Sequence, residues 1–108
     1  VDGTSSDMVV KGEFHPLNPS PQSAELFDLY LKTAADNGFV VKGEHSGGCA
    51  DSGFIARADT PVICGVGPIG GNYHRPDEWM QIDSLSVRAK FIAETILRLA
   101  TTPTKTGL

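Results

Sequence analysis

PVICGVGPIGGNYHRPDEWM, residues 61–80, is the stretch on which the fold turns. Its first four residues, Pro61-Val62-Ile63-Cys64, form a short apolar run of the kind that becomes a buried strand. The run empties into a loop containing Gly65, Gly67, Gly70 and Gly71, which delivers His74 between Tyr73 and Arg75. Pro76, the acidic pair Asp77-Glu78 and the only tryptophan, Trp79, follow. A polar loop leaving a buried strand is where open α/β sheets place their chemistry.

Upstream of this stretch the signals alternate. Met8–Phe14 has strand character, and three prolines (Pro16, Pro19, Pro21) then make a stiff linker that excludes helix and sheet interior. Ser20 as N-cap and Pro21 at the first helical position start a helix, with Ala24, Phe27, Tyr30, Leu31 and Ala34 on one face. Asn37-Gly38 ends it, with Gly38 as a left-handed cap. Phe39–Glu44 reads as a second strand, and His45–Asp51 as a second glycine-rich loop. Asp51 is placed to cap a short helix over Ser52–Ala58, broken by Asp59-Thr60-Pro61.

Downstream, Asp83 or Ser84 caps a last helix whose stripe is Leu85, Ala89, Ile92, Ile96 and Leu99, with Glu94 and Arg98 at pairing distance. The order is β, linker, α, β, short α, β, α. It predicts an α/β architecture, part of a mostly parallel sheet sandwiched by helices. Both glycine loops follow strands, so both fall on one rim of that sheet.

Composition narrows the function classes. The 108 residues carry a formal net charge of -4 and a 20% charged fraction, which argues against a nucleic-acid binder with a basic face. No apolar run approaches the ~18–20 residues of a membrane span. Cys49 and Cys64 form no CxxC pair or disulfide framework, so a reducing compartment, the cytoplasm, is favoured, with the periplasm or secretion left open. The chain opens at Val1 with a strand that lacks neighbours, and a fragment of a longer protein is expected.

Gly65-Val66-Gly67-Pro68-Ile69-Gly70 matches GxGxxG in form, but a dinucleotide site needs those glycines to open a helix, and Gly71–Pro76 cannot continue as one. A loop shaped to present His74 is the better reading. His74 itself has three roles open to it: metal ligand, general base or surface histidine. Spacing alone favours the last, since no second His or Cys lies at zinc-finger or HExxH spacing. His15 and His45 carry no motif, and Cys49 has no placed base to make it a nucleophile.

Taken together, the two loops resemble a known family. Ser46-Gly47-Gly48-Cys49-Ala50-Asp51, Pro61 ten positions beyond Asp51 and His74 thirteen beyond Pro61 resemble the C-terminal part of the zinc aminoacylase/carboxypeptidase family. That family includes glutamate carboxypeptidase, acetylornithine deacetylase and succinyl-diaminopimelate desuccinylase. Gly47, Gly48, Asp51, Pro61, Gly65, Gly67, His74 and Glu78 fall in register.

The resemblance implies a di-zinc metallopeptidase or amidohydrolase, nearest the glutamate carboxypeptidase branch, that cleaves the amide of a small peptide or N-acyl amino acid. It implies that His74 binds one of two zinc ions. Gly47, Gly48, Asp51 and His15 are implied near the substrate. Beside the implied ligand, the acidic pair Asp77 and Glu78 reads either as outer-shell partners that orient an imidazole, Glu78 first, or as a solvated pair. The general-base glutamate, an HxD motif and a Glu-Glu pair are expected upstream, so this chain alone is expected to be inactive.

By the same resemblance, residues 1–17 correspond to the last strand of an inserted lid or dimerisation domain plus its linker. Residues 18–100 correspond to the C-terminal part of the catalytic domain, and 101–108 to a tail. The implied partners are the remaining catalytic and lid domains and a second copy, with no nucleic acid and no membrane. His15 stands where relatives often have an arginine for the substrate carboxylate, and Cys49 and Ala50 also depart from the pattern. A non-catalytic binding or assembly module that kept the fold without the metal centre is the alternative expectation.

Overall fold

A computed structural model describes residues 1–101. These described residues form three helices, α1 (Pro21–Asp36), α2 (Ser52–Arg57) and α3 (Ile82–Thr101), and two short strands, β1 (Gly70–Gly71) and β2 (Trp79–Met80). The expected tail, 101–108, lies outside the described residues except for Thr101, which ends α3.

α1 forms as its local chemistry dictates. Ser20 is extended (φ -89, ψ 163) and its Oγ accepts from the Ser23 N–H at 3.1 Å, with Pro21 next to it. At the other end Gly38 takes φ +81. Its N–H donates to Ala35 O at 2.9 Å, and the Phe39 N–H donates to Ala34 O at 3.0 Å, the paired bonds of a Schellman motif. The turn folds Phe39 back onto Phe91 of α3, edge to face at 5.3 Å.

α1 packs against α3 around Tyr30, Ala34 and Phe91, with Val41, Ile63, Val66, Val87 and Ile92 half-buried against them. Polar pairs fasten the same seam. Arg98 Nη1 donates to Asp36 Oδ2 at 2.7 Å, Asn37 Nδ2 to Glu94 Oε2 at 2.7 Å, and Arg88 Nη1 to the Tyr30 hydroxyl at 3.3 Å. Thr33 and Thr95 are buried in it because each returns its hydroxyl to the carbonyl four residues back, Leu29 and Phe91 respectively.

This seam corrects two expectations. On α1, Ser23 and Thr33 are buried while Ala24 is exposed. On α3, the buried positions are Ser84, Phe91 and Thr95, and Leu85, Ile96 and Leu99 of the expected stripe are exposed. Glu94 pairs with Lys90 (3.7 Å) and Asn37, while Arg98 reaches across to Asp36, so the expected Glu94–Arg98 pair is replaced by inter-helix contacts. The caps differ as well. Asp51 makes no side-chain cap bond, and α3 begins at Ile82 with the Ser84 hydroxyl turned back to Gln81 O at 2.6 Å.

The three expected strands, Met8–Phe14, Phe39–Glu44 and Pro61–Cys64, make no ladder among the described residues. The only ladder there is antiparallel, Gly70 opposite Met80 and Gly71 opposite Trp79. The architecture is therefore mixed helix with a small two-stranded sheet. A strand is closed only by a neighbour that takes up its N–H and C=O groups, and among the described residues neither Phe39–Glu44 nor Pro61–Cys64 pairs with such a neighbour. Helix hydroxyls hold the extended chain instead. The buried Ser23 Oγ accepts from Val62 N–H at 3.0 Å, and the buried Ser84 Oγ accepts from Ile69 N–H at 2.8 Å. A groove of about 320 Å³ stays open beside the seam, lined in part by Phe39, Val41, Ile69, Val87 and Phe91.

Candidate functional site

The β1–β2 hairpin carries His74 at its tip. Its base is tight because two glycines let the strands close. A Cβ on Gly70 would lie 2.7 Å from Trp79 O, and one on Gly71 would lie 2.9 Å from Trp79 Nε1. The pairing continues through Gln81 N–H to Ile69 O at 2.8 Å, so Ile69 is fixed from both sides, by the hairpin and by Ser84. This explains the GxGxxG lookalike: Gly70 serves a close approach of backbone, not a phosphate.

Between the strands the chain turns twice into the left-handed region, at Asn72 (φ 58) and His74 (φ 64). Asn and His are among the non-glycine residues that tolerate this best. Arg75 N–H closes one turn on Asn72 O and Glu78 N–H the next on Arg75 O, both at 3.1 Å. Asp77 ties the flanks together. It accepts from Arg75 Nε (2.8 Å) and Nη2 (3.1 Å), and from Asn72 Nδ2 at 3.0 Å. The Arg75 bonds hold the Asp77 carboxyl below the ordinary 3.8, against a smaller opposing effect of desolvation. Tyr73 hydroxyl donates to Gly70 O at 3.1 Å.

His74 is exposed, and no hydrogen bond or ion pair engages its ring among the described residues. That leaves an imidazole nitrogen free to ligate, so His74 fits a metal as a single donor. A catalytic zinc takes three or more protein ligands, and the described residues hold no group of three His, Cys, Asp or Glu suited to a metal.

The remaining site residues are placed as follows. Glu78 is exposed at the foot of the same hairpin, bonded through its backbone. Gly47 and Gly48 lie exposed in the 45–51 loop, where Gly48 N–H donates to Ser46 Oγ at 3.1 Å. Asp51 enters α2, its carbonyl accepting from Phe54 N–H at 3.0 Å. No hydrogen bond joins this loop to the His74 hairpin among the described residues.

His15, ahead of α1, sits elsewhere, against α2. Its ring meets Phe54 at 5.4 Å and 83°, and its Nε2 lies 2.6 Å from Arg57 Nη1. A guanidinium only donates, so Nε2 is the acceptor. The two line a polar concavity of about 230 Å³ with Pro16, Asn18, Gly53 and Ala56. Sequence reading singled out Asp77 with Glu78 as an acidic pair able to orient an imidazole, but missed Arg57 as a contributor. Nothing local marks Arg57.

No curated protein and no solved structure matches the chain. The sequence profile described as peptidase family M20/M25/M40 matches residues 7–98, which take in α1, α2, the His74 hairpin and nearly all of α3. By that match, the chain belongs to peptidase family M20/M25/M40.

Proposed function

We propose that this chain is the C-terminal segment of the catalytic domain of a di-zinc peptidase or amidohydrolase acting on a small peptide or N-acyl amino acid. One observation carries the reading: an exposed histidine without a partner in the described residues, held in the left-handed region at the tip of a glycine-based hairpin, inside the family match. His74 donates one imidazole nitrogen to one metal position. When bound, a pair of zinc ions supplies carbonyl polarisation and a water of lowered pKa. Gly47, Gly48, Asp51 and His15 approach the substrate, and Glu78 sits outside the ligand. The other ligands and the general base come from polypeptide beyond this segment, so the segment alone is inactive.

The same reading accounts for the open sheet. Phe39–Glu44 and Pro61–Cys64 become strands of a mostly parallel α/β/α sandwich once neighbouring strands are supplied, and Met8–Phe14 becomes the last strand of a lid domain. That arrangement leaves a homodimer through the lid. Cys49 and Cys64 are both free and exposed, which fits a reducing compartment, the cytoplasm. No helix among the described residues is long and apolar enough to cross a membrane.

The test is zinc stoichiometry and hydrolysis in the intact protein. His74→Ala is expected to lose one zinc and most activity. Unchanged zinc content in that variant would overturn the assignment and favour a non-catalytic module.

A further inference from the structure

Two residues of the hairpin tip, Asn72 and His74, sit in a backbone region that ordinary residues avoid, and something must hold them there. The contacts that do so converge on one exposed carboxylate. Asp77 takes two bonds from the Arg75 guanidinium and one from the Asn72 amide, and its backbone carbonyl lies 3.3 Å from the same amide nitrogen. Residues 72 and 75 bracket Tyr73 and His74, so Asp77 closes a ring of side-chain bonds around the histidine. An exposed ion pair of this kind adds little to overall stability. A bidentate guanidinium pair nevertheless fixes geometry, because both N–H vectors must be satisfied at once.

We propose that Asp77 is a positioning residue for His74: by clasping Asn72 and Arg75 it sets the left-handed turn that aims the imidazole. The inference rests on the reading of His74 as a metal ligand, and it adds a named residue and a mechanism to that reading. Asp77 contacts neither metal nor substrate. It acts only through the backbone shape of residues 72–75. Its exposure separates this role from a packing role, since removing it opens no cavity in the α1–α3 core.

The geometry supplies its own control. If Asp77 works by holding Asn72 in the left-handed region, a glycine at position 72 makes the clasp unnecessary, because glycine enters that region without penalty. The experiment measures zinc affinity by chelator competition, together with the thermal midpoint, in the intact protein. Asp77→Ala is expected to weaken zinc about 10-fold or more, the usual effect of losing a group that orients a ligand, with the midpoint of the metal-free protein unchanged. Asn72→Gly combined with Asp77→Ala is expected to restore the affinity.

Unchanged affinity in Asp77→Ala, while His74→Ala loses zinc, would overturn the inference and leave the ligand assignment standing. A loss that Asn72→Gly fails to recover would also overturn it, pointing to direct ligation by Asp77 or to general disruption. If His74→Ala itself leaves zinc affinity untouched, the ligand assignment fails, and the positioning role fails with it.

Discussion

Asp36, at the end of α1, accepts from Lys32 Nζ at 3.2 Å and from Arg98 Nη1 at 2.7 Å, so one carboxylate serves both its own helix and α3. The Arg98 bond first, and the Lys32 bond after it, hold its carboxyl below the ordinary 3.8. A carboxylate lowered by folding stabilises the native state at pH values above its unfolded pKa. That contribution is lost as the pH falls through the lowered folded value. Asp36→Asn is therefore expected to be less stable than the parent at neutral pH, with the gap closing as the pH is taken below 3.8. Unfolding midpoints measured across the acid range check this. Ser20, Pro21 and Gly38 could be read from the sequence because each acts on its immediate neighbours. Ser23 and Ser84 could not, since their partners Val62 and Ile69 lie 39 and 15 residues away.

The helices show where periodicity succeeds and where it stops. It places α1, α2 and α3 to within one or two residues at most ends, because apolar spacing and caps are local signals. It does not say which side of α3 meets α1. The sequence offers one wholly apolar stripe through Ile96 and another face carrying Ser84, Phe91 and Thr95, and hydrophobicity alone prefers the first. The structure uses the second, because a buried threonine that bonds its own helix behaves as a small apolar residue. Phe91, 1% exposed and in contact with Tyr30 and Phe39, is the centre of that face. Phe91→Ala is expected to destabilise the chain by about 3 kcal/mol or more, the range for emptying a buried aromatic site. Denaturant unfolding followed by helix signal measures it.

At the scale of the molecule the chain is spread out. Its radius of gyration is 18.6 Å, against about 13 Å for a compact domain of this length. The sequence shows three apolar runs, and the described residues form no ladder among them, because pairing needs neighbouring segments that no local pattern supplies. Of the candidate site, His74 was legible as a conspicuous loop residue, and the described residues bring no group of three possible metal ligands together. The exposed apolar face through Leu85, Ile96 and Leu99 belongs to the same account. Under the proposed sandwich this face is covered in the intact protein. Ile96→Ala there is expected to cost about 2–5 kcal/mol, as a buried aliphatic does. In this chain alone it should stay within about 0.5 kcal/mol. Parallel denaturation of the two forms separates these values.

The closeness of Trp79 to Gly71 has one more consequence. The chain has a single tryptophan, half-exposed, with its indole nitrogen lying over the β1 backbone at the foot of the His74 hairpin. Its ultraviolet emission thus arises from one place in this sequence. Splaying of the two strands would change the water around the indole and shift that emission, so the hairpin carries a built-in optical gauge of whether it is closed.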